Sequence, residues 1–135
     1  SMPKLEDFAG CRILVAEDNN INMEIISELL TMNGLEVLPA SNGKEAVELF
    51  ESSEEGSISM VLMDMQMPEM DGCEAAEAIR VLPREDAHAV PILALTGNSG
   101  SDDVERAMAA GMNDFMVKPV QMKLLAQMMS AYLQH

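Results

Sequence analysis

Four short apolar runs in this chain each lead into a residue that can handle charge or phosphate. Arg12-Ile13-Leu14-Val15-Ala16 leads into Glu17 and Asp18, and Met60-Val61-Leu62-Met63 ends on Asp64. Ile92-Leu93-Ala94-Leu95 ends on Thr96, and Phe115-Met116-Val117 ends on Lys118, followed by Pro119. Near-continuous runs of this length fit strands buried on both faces of a sheet, and segments of helical periodicity lie between them. Strand and helix in alternation imply right-handed crossovers and an α/β fold, a doubly wound parallel sheet. Parallel strands share one carboxyl edge, and ligands of open α/β sheets bind at that edge. Three carboxylates, a hydroxyl and an ammonium then converge on one small site.

The intervening segments supply the helices. Asn19 or Asn20 can cap the first, whose apolar stripe is read as Ile21, Ile25, Leu29 and Met32 with Ile26 and Leu30 beside them, stopped by Asn33-Gly34. Leu35 to Leu38 reads as a short second strand. Ser41-Asn42-Gly43 makes a turn into a second helix carrying Ala46, Val47, Leu49 and Phe50, and residues 52–59 form a polar loop. A third helix is expected from Asp71 to Leu82, ended by Pro83. Gly97 to Ser101 reads as a flexible loop, and Ser101 or Asp102 can cap a fourth helix that stops at Gly111. The fifth strand is placed at Asp114 to Val117. Val120, Leu124, Leu125, Met128 and Tyr132 mark the fifth helix. Residues 1–10 are read as an N-terminal extension, with Ser1 before Met2 a cloning remnant, and residues 11–135 as one domain.

Composition narrows the function. Eight basic residues against 23 acidic give a net charge of −15, which disfavours direct contact with a nucleic acid and favours a bound cation or a basic partner. No apolar run reaches the roughly 18 residues of a membrane helix, and no signal-peptide core is seen, so a cytoplasmic setting is expected. Cys11 and Cys73 form no metal spacing and fit a reducing compartment. His88 and His135 stand apart from each other and from the strand ends. Fourteen methionines and few aromatics indicate a core filled by flexible aliphatic side chains.

Taken in order, Ile13-Leu14-Val15-Ala16-Glu17-Asp18-Asn19, Met63-Asp64-Met65-Gln66-Met67-Pro68-Glu69-Met70-Asp71-Gly72, Leu95-Thr96 and Lys118-Pro119 resemble the receiver (phosphoacceptor) domain of two-component response regulators. The resemblance runs from about Cys11 to Leu133 and is strongest to receivers of hybrid sensor histidine kinases. It implies a flavodoxin-like fold with five helices and strand order 2-1-3-4-5. That order comes from the resemblance, not from the residues.

The resemblance also implies roles. Asp64 is the expected phosphoryl acceptor, since a carboxylate can attack phosphorus and form an acyl phosphate. Glu17, Asp18 and Asp64 with the Gln66 backbone carbonyl are expected to hold Mg²⁺ or Mn²⁺, because hard oxygen donors favour such ions. Lys118 is expected to pair with phosphoryl oxygens and Thr96 to donate its hydroxyl to one. Phe115 is either the family's switch aromatic or a plain core side chain. Gln66 and Asn98 occupy the positions that tune acyl-phosphate lifetime, with the lifetime itself left open. Pro119 resembles the family's proline after a cis peptide bond, although a trans helix-start proline fits the residues equally. The expected phosphodonor is a histidine kinase or a histidine phosphotransfer protein. The fourth helix, fifth strand and fifth helix form the expected switching face, open to a phosphorylation-dependent dimer or an attached output domain.

Three rivals are weaker. An aspartate-nucleophile phosphohydrolase wants a second acid where Gln66 stands. A flavin binder wants a Ser/Thr/Gly phosphate loop after the first strand, where Glu17-Asp18-Asn19-Asn20 stands. A docking-only module would not need the acidic set.

Overall fold

The computed structural model describes residues 2–97 and 101–133. Five parallel strands, β1 (Arg12–Ala16), β2 (Glu36–Ala40), β3 (Met60–Asp64), β4 (Ile92–Thr96) and β5 (Asp114–Val117), form one sheet in the order β2-β1-β3-β4-β5. The helices are α1 (Asn20–Thr31), α2 (Gly43–Ser52), α3 (Gly72–Arg80), α4 (Glu85–Ala89), α5 (Ser101–Ala109) and α6 (Met122–Tyr132). Among the described residues, side-chain caps start three of them. The side-chain oxygens of Asn19, Asn42 and Asp71 accept the backbone N–H groups of Asn22, Glu45 and Glu74 respectively, at 2.8–2.9 Å.

Strand alternation builds two apolar layers. On one face Ile13, Val15, Leu62, Leu93 and Leu95 pack with Ile26 and Leu30 of α1 and Leu125, Ala126 and Met129 of α6. On the other, Leu14, Val61, Met63, Ile92 and Ala94 pack with Phe50 of α2, Ile79 of α3 and Ala107 of α5. Burial from both sides is why the central strands are apolar throughout rather than alternating.

Four features differ from the sequence reading. Among the described residues there are six helices, not five: a short turn of helix, α4, fills the stretch between Pro83 and Pro91, too brief to show a periodicity. The helix expected fourth is therefore α5 and the last is α6. Strand β2 runs on through Pro39 to Ala40, which is tolerated because β2 is an edge strand and a missing N–H there breaks no inner ladder. The α1 stripe is rotated: Ile26 and Leu30 are buried, whereas Ile21 and Ile25 are 69% and 57% exposed. Finally, Leu5 and Phe8, in a 3-10 turn (Leu5–Phe8) within the stretch read as an extension, are buried in the layer under α6.

Arginines tie the periphery. Arg84 reaches the Phe50, Glu51 and Ser53 carbonyls at the end of α2, pairs with both oxygens of Asp86 at 2.7 and 2.8 Å, and lies over the Phe50 ring. Arg80 donates to the Gly111 and Ala87 carbonyls and to Asn113. Among the described residues no helix is long and apolar enough to cross a membrane.

Candidate functional site

Register brings the strand ends together. Ala16 lies opposite Met63, so Glu17 and Asp64 emerge side by side from β1 and β3. Asp64 lies opposite Leu95, and Thr96 opposite Val117, so Thr96 and then Lys118 follow just beyond. Ligand oxygens of Glu17, Asp18 and Asp64 lie within 4.8 Å of one another. Glu17 and Asp64 are buried, while Asp18 is exposed at the rim. They edge an open cavity of about 460 Å³.

Lys118 closes the site from β5. Its Nζ lies 3.0 Å from Asp64 Oδ2 and 3.3 Å from Glu17 Oε1. The second Glu17 oxygen accepts the Asn19 N–H at 3.1 Å, and Asp64 Oδ1 accepts the Gln66 N–H at 3.2 Å. Burial pushes the Glu17 carboxyl above its ordinary value, the Asn19 hydrogen bond opposes this, and the neighbouring Asp64 charge adds to it. Burial alone would lower the Lys118 ammonium, but the hydrogen bond and charge of Asp64, then Glu17, outweigh it and hold the group above its ordinary value. One cation thus faces a carboxylate excess, the donor set a hard divalent cation would complete.

Thr96 is fully buried, and among the described residues its Oγ1 has no hydrogen-bond partner. A buried hydroxyl without a partner costs free energy. The β3–α3 loop packs tightly here: a Cβ at Gly72 would lie 2.2 Å from the Asp64 carbonyl oxygen, which restricts position 72 to glycine. The Lys118–Pro119 bond is cis. Phe115 is half-buried and packs on the layer that contains α2, α3 and α5. Asn98 lies outside the described residues.

Two lining residues went unread in the sequence. Asn22 and Asp103, in the first turns of α1 and α5, both border the cavity. Neither belongs to a strand end, so edge convergence gave no signal for them. Asp103 is paired with Arg106 at 3.5 Å. His88 sits elsewhere, its Nε2 3.0 Å from the Leu82 carbonyl.

A doubly wound sheet with carboxylates and a lysine at its carboxyl edge defines a class: flavodoxin-like domains that handle phosphate chemistry at strand ends. The chain belongs to the response regulator receiver domain family, which matches residues 13–130, and is a receiver domain of phosphorelay signalling. It is 43% identical over 132 residues to hybrid signal transduction histidine kinase B of Dictyostelium discoideum, covering 90% of this chain and 7% of that protein. Among solved structures it resembles the receiver domain of sensor histidine kinase PA1611 from Pseudomonas aeruginosa, at 35% identity and TM-score 0.81 over 92% of this chain and 98% of that one. That structure has a magnesium ion coordinated in its active-site cleft. A second is the receiver domain of Ssk1 from Saccharomyces cerevisiae, crystallised with the histidine phosphotransfer protein Ypd1, at 30% identity and TM-score 0.78 over 98% of this chain and 90% of that one. The chain spans about 7% of the length of the first curated relatives it matches.

Proposed function

We propose that Asp64 accepts a phosphoryl group from a phosphohistidine on a partner protein and that the resulting acyl phosphate switches the α5–β5–α6 face. The observation that carries this is Asp64 itself, a buried carboxylate at a strand end with Lys118 3.0 Å away and the Glu17 and Asp18 carboxylates within 4.8 Å. Glu17, Asp18, Asp64 and the Gln66 carbonyl would hold Mg²⁺ or Mn²⁺. Such a cation, when bound, offsets the repulsion between an anionic nucleophile and an anionic phosphoryl group.

The chain's own residues do the rest. An Asp64 oxygen bonds to phosphorus as the donor's P–N bond breaks, and the electron pair stays on the imidazole nitrogen. Lys118 neutralises charge on the phosphoryl oxygens without needing to travel far. Thr96 supplies its hydroxyl once it turns toward the new group. Small Gly97 leaves room for the donor's ring. Exposed Ile21 and Ile25 stand on α1, and Ile25 borders a shallow cavity with Glu17, Lys118 and Pro119. That apolar rim supports docking of a histidine kinase or histidine phosphotransfer protein over α1.

Moving a switch from mostly off to mostly on takes about 5.5 kcal/mol of differential stabilisation. Hydrogen bonds to a charged group are worth about 1.5–3 kcal/mol each, so Lys118 and Thr96 with backbone donors reach that total. Phe115, next to the rearranging strand end, is the side chain assigned to report the change. Gln66 and Asn98 are assigned to set acyl-phosphate lifetime. The same proposal includes self-phosphorylation from small donors and a cytoplasmic setting.

Beryllofluoride, a stand-in for the phosphoryl group, tests the reading. With Mg²⁺ it should move the backbone amide resonances of residues around Asp64, Thr96 and β5. An unchanged spectrum at saturating reagent refutes the reading.

A further inference from the structure

The β3–α3 loop leaves the site at Met65 and returns at Gly72, where the Gly72 N–H donates to the Met65 carbonyl at 3.1 Å. At its tip Glu69 has a φ of +66°, a left-handed conformation that a residue with a Cβ keeps only when something holds it. The start of α2 supplies two holds. Asn42 Nδ2 donates to a Glu69 carboxylate oxygen at 3.0 Å, and the Gly43 N–H donates to the Met70 carbonyl at 3.2 Å. A Cβ at Gly43 would lie 2.2 Å from that carbonyl oxygen, so α2 comes this close only because position 43 is glycine.

The Asn42 amide is oriented by its other bond. Its Oδ1 accepts the Glu45 N–H at 2.8 Å as the α2 cap, which leaves Nδ2 as the group facing Glu69. From this juxtaposition we infer that Asn42 is a positioning residue for the metal-binding loop: it holds Glu69, and through it sets where the loop presents the Gln66 carbonyl. The inference rests on the proposed function, in which that carbonyl is a metal ligand.

The test is Mg²⁺ affinity, measured by amide chemical-shift titration of the whole chain, in Asn42→Asp. Aspartate caps a helix as well as asparagine, so α2 is kept, but the donor facing Glu69 becomes a second carboxylate. Affinity should fall by about 3- to 10-fold, less than the 10- to 100-fold typical of outer-shell partners because this contact is exposed. The sign is diagnostic, since an added negative charge near a cation site would by itself tighten binding. The double variant N42D/E69Q keeps the wild-type net charge and reverses the hydrogen bond, with the new amide donating to the new carboxylate. It should recover wild-type affinity to within about twofold.

Asn42→Ser keeps a capping oxygen, drops the amide arm and adds no charge, so it should also weaken binding should N42D fail to fold. Wild-type affinity in both N42D and N42S overturns the inference. A wild-type chain that binds no Mg²⁺ overturns the proposed function, and this inference with it.

Discussion

Replacing Thr96 with valine should stabilise the resting domain and disable the switch, two effects of opposite sign from one atom. The hydroxyl is fully buried and, among the described residues, unpartnered. Burying such a group without a hydrogen bond costs about 1–3 kcal/mol, and valine fills the same space on a strand with a methyl instead. Taking the low end, about 1 kcal/mol, the melting temperature should rise by about 2–6 °C for a domain of this size. In the phosphorylated state the same hydroxyl would donate to an anionic oxygen, a contact worth about 1.5–3 kcal/mol. Its loss should weaken beryllofluoride binding by about 10- to 150-fold, at 1.4 kcal/mol per decade. Calorimetry gives the first number, and a beryllofluoride titration followed by amide shifts gives the second. A valine variant that melts lower than wild type, or that binds beryllofluoride equally well, would rule out an unpartnered resting hydroxyl that gains an anionic partner.

Other perturbations test the scaffold under the site. Ile79→Ala empties a fully buried position in the α3 layer and should cost about 2–5 kcal/mol, seen as a lower urea midpoint at unchanged slope. Gly72→Ala drives a Cβ to 2.2 Å from the Asp64 carbonyl; a loss of about 1–3 kcal/mol in thermal melts, with weaker Mg²⁺ binding, is expected. The Arg84 hydrogen bonds hold the Asp86 carboxyl at about 2, below its usual 3.8, with burial opposing and the Gly56 N–H assisting. A lowered folded-state value means the contribution is fully present above the unfolded value and is lost as pH falls toward the folded one. The stability gap between wild type and Asp86→Asn should therefore shrink as pH drops from about 5 to about 2, and a gap that stays constant across that range would contradict the assignment.

The parts of the fold legible in the chain are those with a repeating physical signature. β3 and β4, and β1 after Arg12, are apolar runs because both faces of the sheet are covered there, β5 carries a shorter run at the sheet edge, and the residues at or just past these strand ends read as a shared edge. Features that depend on a neighbour are not legible. Pro39 reads as the end of a strand unless β2 is known to lie at the edge of the sheet. Ile21 and Ile25 carry the same hydrophobicity as Ile26 and Leu30, and only the angle at which α1 meets the sheet decides which pair is buried. Short α4 has too few residues for a period, and its place is held by Arg84 and Arg80 reaching backbone carbonyls outside their own turns. Leu5 and Phe8 are two apolar residues in a polar stretch, and their burial under α6 is a tertiary fact. Within the site, residues that leave strand ends can be named from the chain alone, whereas Asn22 and Asp103 reach the cavity from helices whose rotation no local pattern sets.

The most direct test of the central claim is the intact mass of the protein after incubation with acetyl phosphate, with and without Mg²⁺, beside an Asp64→Asn variant. One added phosphoryl group is expected in the wild type with Mg²⁺, and none without Mg²⁺ or in the variant. A variant phosphorylated as fully as the wild type would place the acceptor on a residue other than Asp64.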